Sequence, residues 1–563
     1  MAPILSILLP TVVVCGLSAP PPLSPKAGTK PNMIFIMADD LGYGDLSGFG
    51  NHPTSETPHL DAMVRDGARF TSMYSASPVC SPSRSSVMTG RLMTRNGVWP
   101  MVFSPNSVGG MALNETTLPA LLKTAGYDTF MAGKWHLGVG KDGAYLPHNR
   151  GFDHYYGVPY GIDMCAQEAE RQVPRDGFPA GACFAPNVSC ASPQAVGGHR
   201  NGAGREYEAP CPFYVNGTIA QQPTPLLALD DKYVEATTGF IKAHAAGTGA
   251  APFFVYFASH HTHAPAFAKA NFTNSSIRGW FGDHLRTLDW SVGEILAAVD
   301  GAGLGEETLV MFSADNGPSL TWEDLGGANG GLRCGKGTTW EGGQRVPSIA
   351  RWTGHVQPHG HVRAMTSSMD FFATAAELAG AALPADRTYD SISYASLLAD
   401  ADADATRQTF FYWGEHVDPK LGLQAVRHAA PGFGDWKMHW ITQGSHCEDD
   451  FPDKECPASR GKVVLEEPLL YNLAYSVGET RNLSVAAYPE VVAKLTALKL
   501  AHEAEPDIFG PSQVNKGADN ALEPCAPEAI AAGCSAANPN ATSPPWPLCC
   551  TKAASAGWRA EFS

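Results

Sequence analysis

Four short apolar runs each stop at a polar group, and this repeated pattern constrains the chain more than any other feature. Residues 33–38 (MIFIMA) end in Asp39-Asp40, and residues 127–132 (YDTFMA) precede Lys134 and His136. Residues 253–259 (FFVYFAS) precede His260, His261 and His263, and residues 308–313 (TLVMFS) precede Asp315-Asn316. Short continuous apolar runs are the mark of strands buried on both faces. Helical patterns at 117–125, 231–244 and 282–299 lie between them. This alternation predicts an α/β fold with a mostly parallel sheet covered by helices on both sides. Ligands in such sheets sit beyond the carboxyl ends of the strands, so the four polar endings are expected at one rim. A single polar pair after a strand is only the start of a loop; four of them make a candidate site. Asp39, Asp40, Asp315 and Asn316 form an all-oxygen set, and hard oxygen ligands favour Ca²⁺ or Mg²⁺ over zinc.

The remaining features speak to compartment. The chain opens with an apolar stretch at residues 4–14, a small-residue pattern at Leu17-Ser18-Ala19 and then three prolines. That order reads as a signal peptide over residues 1–19. No later run reaches the 18 or so apolar residues of a membrane span, and the tail lacks a lipid-anchor pattern. Sequons at Asn114, Asn187, Asn216, Asn271, Asn274, Asn482 and Asn540 fit the secretory pathway. So do 13 cysteines, clustered at Cys165, Cys183, Cys190 and Cys211 and again at Cys525, Cys534, Cys549 and Cys550. Clusters in turn-rich sequence read as disulfides. The length of 563 residues allows a large domain plus a smaller one. A net charge of −16 and no basic run argue against nucleic acid as a partner. An anionic substrate stays open, because a local cluster of cations reverses the sign at a cleft.

Cys80 lies in SPVCSPSRSSVMTGR. Ser81 suits a helix N-cap with Pro82 at the first helical position, and Val87, Met88 and Met93 offer a short apolar face. Cys80 is then expected at a helix N-terminus that favours an anion, with Arg84 about one turn in. A disulfide half, a plain buried thiol and a low-pKa nucleophile are all open for it.

The stretch CSPSR matches the C-x-P-S-R signature, and GRLMTRNGV continues it. With MADDLGYGDL, GKWHLGVG, YFASHHTHAP, FSADNGP, LRCGKGTTWEGG and FGPSQV, the chain resembles the type I sulfatases from about residue 31 to about residue 513. The resemblance implies an alkaline-phosphatase-like fold: a large mixed, mostly parallel sheet flanked by helices over residues 30–430. A smaller C-terminal domain with an antiparallel sheet and a cysteine-rich tail then covers 431–563. It implies hydrolysis of a sulfate ester, either an aryl sulfate or a sulfated glycolipid or carbohydrate. In the family the signature cysteine is oxidised to Cα-formylglycine (3-oxoalanine) by a formylglycine-generating enzyme, a maturation partner that reads Pro82 and Arg84. The aldehyde hydrate attacks sulfur, and a covalent sulfoenzyme collapses to the aldehyde and sulfate.

Carried over residue by residue, Asp39, Asp40, Cys80, Asp315 and Asn316 resemble the ligands of one divalent cation, Ca²⁺ or Mg²⁺. Lys134, His136, His263 and Lys336 resemble the sulfate-contacting and acid–base residues, with Lys134, His263 and Lys336 on the substrate. Arg84 resembles the positioner of the formylglycine, and His261 a structural residue. One departure is Gly161, where relatives carry a serine after GVPY. The resemblance also suggests that Cys334 pairs with Cys447 or Cys456. It points to a lysosomal or extracellular enzyme and leaves a homodimer open. A metal-dependent phosphatase or phosphodiesterase on the same fold, and a binding protein with unmodified Cys80, are the competing readings.

Overall fold

The computed structural model describes residues 30–49, 54–164, 211–222, 224–247, 251–264, 266–320, 326–443 and 462–524. The expected signal peptide and all the clustered cysteines except Cys211 lie outside them.

The predicted strands form the centre of a ten-stranded sheet. They are β1 (Asn32–Ala38), β2 (Asp128–Gly133), β3 (Phe253–Ala258) and β4 (Thr308–Ala314). They lie in the order β4-β1-β3-β2 and run parallel. Beyond β2 come His154–Gly157, Phe213–Val215 and Thr218–Gln221; beyond β4 come Ser348–Arg351, Ala68–Phe70 and Gly360–Val362. Several of these outer pairings are antiparallel, which makes the sheet mixed, as expected.

Helices cover both faces because side chains alternate along a strand. Phe35 and Phe254 point one way and meet Phe371 at centroid distances of 4.6 and 6.2 Å. Phe371 opens a helix that packs with Cys80–Thr89 and Leu118–Thr124. Phe257 points the other way, 6.4 Å from Tyr233 on the helix Leu229–Ala246, which packs against Gly279–Gly301. The three predicted crossover helices are present, each within three residues of the expected bounds.

A second sheet is antiparallel and follows chain order: β5 (Thr409–Tyr412), β6 (Ala425–Ala430), β7 (Gly434–Gln443) and β8 (Lys462–Asn472). The helix Pro489–Glu503 packs on β6 and β7. The division expected at residue 430 falls between β6 and β7, inside this sheet.

Buried charge ties the small sheet to the large domain. Glu341, which opens the short helix Glu341–Gln344 of the large domain, accepts from Tyr74 Oη at 2.5 Å, Tyr412 Oη at 3.1 Å and Lys437 Nζ at 2.9 Å. Burial opposes its charge, but Lys437, Arg427 and Arg345 outweigh that and hold its carboxyl down to about 2. A carboxyl with a depressed folded-state pKa adds stability above its ordinary value of 4.5 and loses it as pH falls toward about 2. Glu341→Gln is therefore expected to be less stable than the parent at neutral pH. Urea titrations along an acid series should show that gap shrinking below pH 4.5. A gap independent of pH would refute the assignment.

Candidate active site

Strand register brings the polar endings together. Met37 of β1 lies level with Ala258 of β3 and Ser313 of β4, and Ala258 lies level with Gly133 of β2. Each chain therefore leaves the sheet at the same height. At β2 the exit needs a glycine: Gly133 has φ +110, and a Cβ there would lie 1.8 Å from the Ala258 carbonyl oxygen. The next residue, Lys134, donates its N–H to that same carbonyl at 2.8 Å.

Cys80 faces this rim from the first position of the helix Cys80–Thr89. The cap differs from expectation: Val79, not Ser81, is the N-cap, so Pro82 falls at the third helical position. Ser81 is occupied elsewhere, donating to the His136 carbonyl at 2.6 Å and accepting from the Phe103 N–H at 3.2 Å. Nor is the helix one-sided; all ten residues are buried. Hydroxyls of Ser85, Ser86 and Thr89 return to carbonyls three or four residues back, which lets polar residues sit in the interior. Cys80 itself is a free, buried thiol, which removes the disulfide alternative. Burial pushes that thiol well up despite Lys134 and Lys336, so the unmodified side chain is protonated rather than a thiolate.

Around Cys80, opposite charges interlock. Its sulfur is 3.5 Å from Asp39 Oδ1. Lys134 Nζ lies 2.6 Å from Asp39 Oδ2, and Lys336 Nζ 2.7 Å from Asp40 Oδ1. Arg84 contacts Asp315 through Nε at 2.9 Å and Nη2 at 2.8 Å, and donates to the Lys134 carbonyl at 3.1 Å. Desolvation works against Arg84 and Lys134, yet Asp315 for the one and Asp39 for the other hold both above their ordinary values. His263 Nε2 lies 3.6 Å from Asp40 Oδ2.

The residues present suit a divalent cation. Asp39, Asp40, Cys80 and His263 offer ligand atoms all within 4.8 Å of one another. Asn316 donates through Nδ2 to Asp40 at 2.7 Å, while its Oδ1 is buried without a partner. An orphaned amide oxygen beside carboxylates is a hard donor set.

The sulfatase profile matches residues 31–381, and a profile described as the C-terminal region of aryl-sulfatase matches residues 405–536. Arylsulfatase A of Homo sapiens is 42% identical over 501 residues, covering 88% of this chain and 92% of that one. The chain belongs to the sulfatase family. It is a sulfuric ester hydrolase of the arylsulfatase type. Steryl-sulfatase of Mus musculus is 34% identical over 88% of the chain and 85% of its own length. Among solved structures, the PsFucS1 sulfatase from Pseudoalteromonas sp. superposes with a TM-score of 0.70 at 26% identity, covering 86% of this chain and 91% of that one. A phosphonate monoester hydrolase of Agrobacterium radiobacter shares the fold at a TM-score of 0.52 and 18% identity, with 84% and 95% covered.

Not every predicted residue of this sulfatase sits within the ion-paired cluster. His136 is held apart, with positive φ and its Nε2 3.0 Å from the Phe103 carbonyl. Its Nδ1 is buried without a partner, and burial with Lys134 nearby pushes its pKa well down. The His261 side chain pairs with Asp230 at 2.9 Å, while its backbone carbonyl accepts from Asp39 N–H at 2.7 Å. At Gly161, a Cβ would lie 2.1 Å from Asp163 Oδ1, so the carboxylate takes the space a side chain would need. Asp163 also acts electrostatically on His136. The sequence reading missed it, and its only signal was its place two residues after that glycine. Cys211 and Cys334 are each in a disulfide, and Cys447 and Cys456, the expected partners of Cys334, lie outside the described residues.

Arg84→Met strands the Asp315 carboxylate in a dry site and is expected to cost about 3–5 kcal/mol in urea unfolding. Arg84→Lys should recover only part, because one ammonium cannot span Asp315 and the Lys134 carbonyl together. Full recovery by lysine would show that charge alone matters there.

Proposed function

We propose that this sulfatase acts through a formylglycine made from Cys80, with one Ca²⁺ or Mg²⁺ bound beside it. The observation that carries the reading is a free, buried cysteine at a helix N-terminus, among Lys134, Lys336, Asp39 and Asp315. A bare thiol held protonated is a poor nucleophile. The hydrated aldehyde supplies the nucleophilic oxygen, and the cation, held by Asp39, Asp40, residue 80, Asp315 and Asn316, supplies Lewis acidity.

The chain's own groups do the rest. Lys134 and Lys336 carry fixed positive charge into a site with little water, where it stabilises charge on the sulfuryl oxygens. Arg84, locked by Asp315, orients residue 80. His263 has Nδ1 2.6 Å from the Ala264 carbonyl, so Nδ1 carries hydrogen and Nε2 faces the site. As the general acid, it gives a proton from Nε2 to the leaving alcohol. His136 has Nε2–H on the Phe103 carbonyl, which leaves Nδ1 as the lone-pair nitrogen. Kept neutral by burial, that nitrogen takes the proton needed to release sulfate.

Aryl sulfates or sulfated glycolipids and carbohydrates are the substrates in this reading, and the compartment is the secretory route to lysosome or exterior. Asn114, Asn271 and Asn274 are exposed, as glycan acceptors must be. Among the described residues no helix is long and apolar enough to cross a membrane.

The test is the mass of the tryptic peptide 70–84 from protein made with a formylglycine-generating enzyme. Replacement of sulfur and two hydrogens by one oxygen is expected, with hydrolysis of p-nitrophenyl sulfate. An intact thiol in active enzyme would sink the reading. Dialysis against EDTA should abolish turnover and Ca²⁺ or Mg²⁺ should restore it; a metal-free chain with full activity would exclude the cation.

A further inference from the structure

The loop that carries Lys336 is held from two sides. In front it faces the site. Lys336 N–H donates to the Pro318 carbonyl at 2.9 Å, and Gly337 N–H donates to the Pro78 carbonyl at 2.9 Å, two residues before Cys80. Gly317, next to Asn316, donates to the Gly343 carbonyl at 3.0 Å. The turn is tight: a Cβ at Gly342 would lie 2.0 Å from the Cys334 carbonyl oxygen.

Behind, the support comes from the small sheet and the segment after it. Lys437 of β7, fully buried, donates to the Thr339 carbonyl at 2.8 Å and to Glu341 Oε1 at 2.9 Å. Glu479, buried with φ 54, accepts from Glu341 N–H at 2.6 Å and His439 Nε2 at 2.7 Å, and lies 3.1 Å from Lys437 Nζ. Trp340 packs against His439 with centroids 4.3 Å apart. A buried glutamate in the left-handed backbone region persists only where its surroundings hold it there.

Resting on the role given above to Lys336, we propose that Lys437 and Glu479 are positioning residues for that lysine. The small domain then sets the reach of one sulfate-binding cation rather than serving as packing alone. A buried ammonium with two loop acceptors fixes the turn at its back, and the turn has no slack to absorb its loss.

The experiment uses the matured, metal-loaded enzyme and compares Lys437→Met, Glu479→Gln, Lys336→Ala and the double variant Lys336→Ala/Lys437→Met. Leu495→Ala, in the buried core between β6, β7 and the helix Pro489–Glu503, controls for general loosening of the small domain. Lys437→Met and Glu479→Gln should each lower kcat/KM for p-nitrophenyl sulfate about tenfold or more. Adding Lys437→Met to Lys336→Ala should cost nothing further, because both act through one group. Amide hydrogen exchange over residues 334–344 should quicken in Lys437→Met and stay unchanged in Leu495→Ala.

Equal activity losses in Lys437→Met and Leu495→Ala, or additive losses in the double variant, overturn the inference while leaving the role of Lys336 intact. Unchanged turnover in Lys336→Ala fails that underlying role and the inference with it. Should Lys437→Met not fold, Glu479→Gln, with the same exchange measurement and its own double variant, decides alone.

Discussion

Backbone hydrogen bonds hold β1 between β3 and β4 with Met37 level with Ala258 and Ser313. A parallel ladder of this kind tolerates no local slippage, because a one-residue shift would turn every buried side chain to the wrong face. Everything at the rim depends on it. Asp39 and Asp40 follow the central strand, so the cations from β2, from the loop after β4 and from the Cys80 helix can all reach them.

The rim also solves an electrostatic problem. Asp39, Asp40 and Asp315 are buried, and a buried carboxylate is costly unless paired. Arg84, Lys134 and Lys336 supply the pairing: Arg84 bridges Asp315 and Asp39, Lys134 meets Asp39 and Lys336 meets Asp40. A chain with a net charge of −16 thereby gathers three cations at one rim. The same arrangement bears on Cys80. Its thiol is buried and next to Asp39, and burial pushes its pKa up, which agrees with the proposal that a modified side chain supplies the nucleophile.

Much of this was readable in advance. The four strands, their crossover helices and their shared rim follow from apolar runs and what ends them, because burial on both faces leaves a continuous signature. The site residues came partly from that rim and partly from family resemblance; Lys336 came from resemblance alone. Other features left no local trace. Ser81 looked like a cap because Ser-Pro is a good helix opening, but a contact with His136 claimed its hydroxyl. The apolar-face reading of the Cys80 helix failed for a similar reason. Its serines are buried and satisfied within the helix itself. Asp163, Lys437 and Glu479 were invisible because isolated charged residues in a sequence look like solvated surface.

The sequence by itself determined the four central strands and the polar groups that end them, since hydrophobic periodicity and side-chain type are local properties; the order of the ten strands came from the structure. Only the tertiary structure decided which acid pairs with which cation, which ring nitrogen of His136 and His263 is available, and that β7 and Glu479 brace the Lys336 loop. Apart from the His263 contact with its neighbour Ala264, those are contacts between residues distant in the chain, 138 positions apart for Glu341 and Glu479 and 296 for Lys336 and Asp40. No periodicity encodes them, because they arise when separately folded surfaces exclude water from the charges between them.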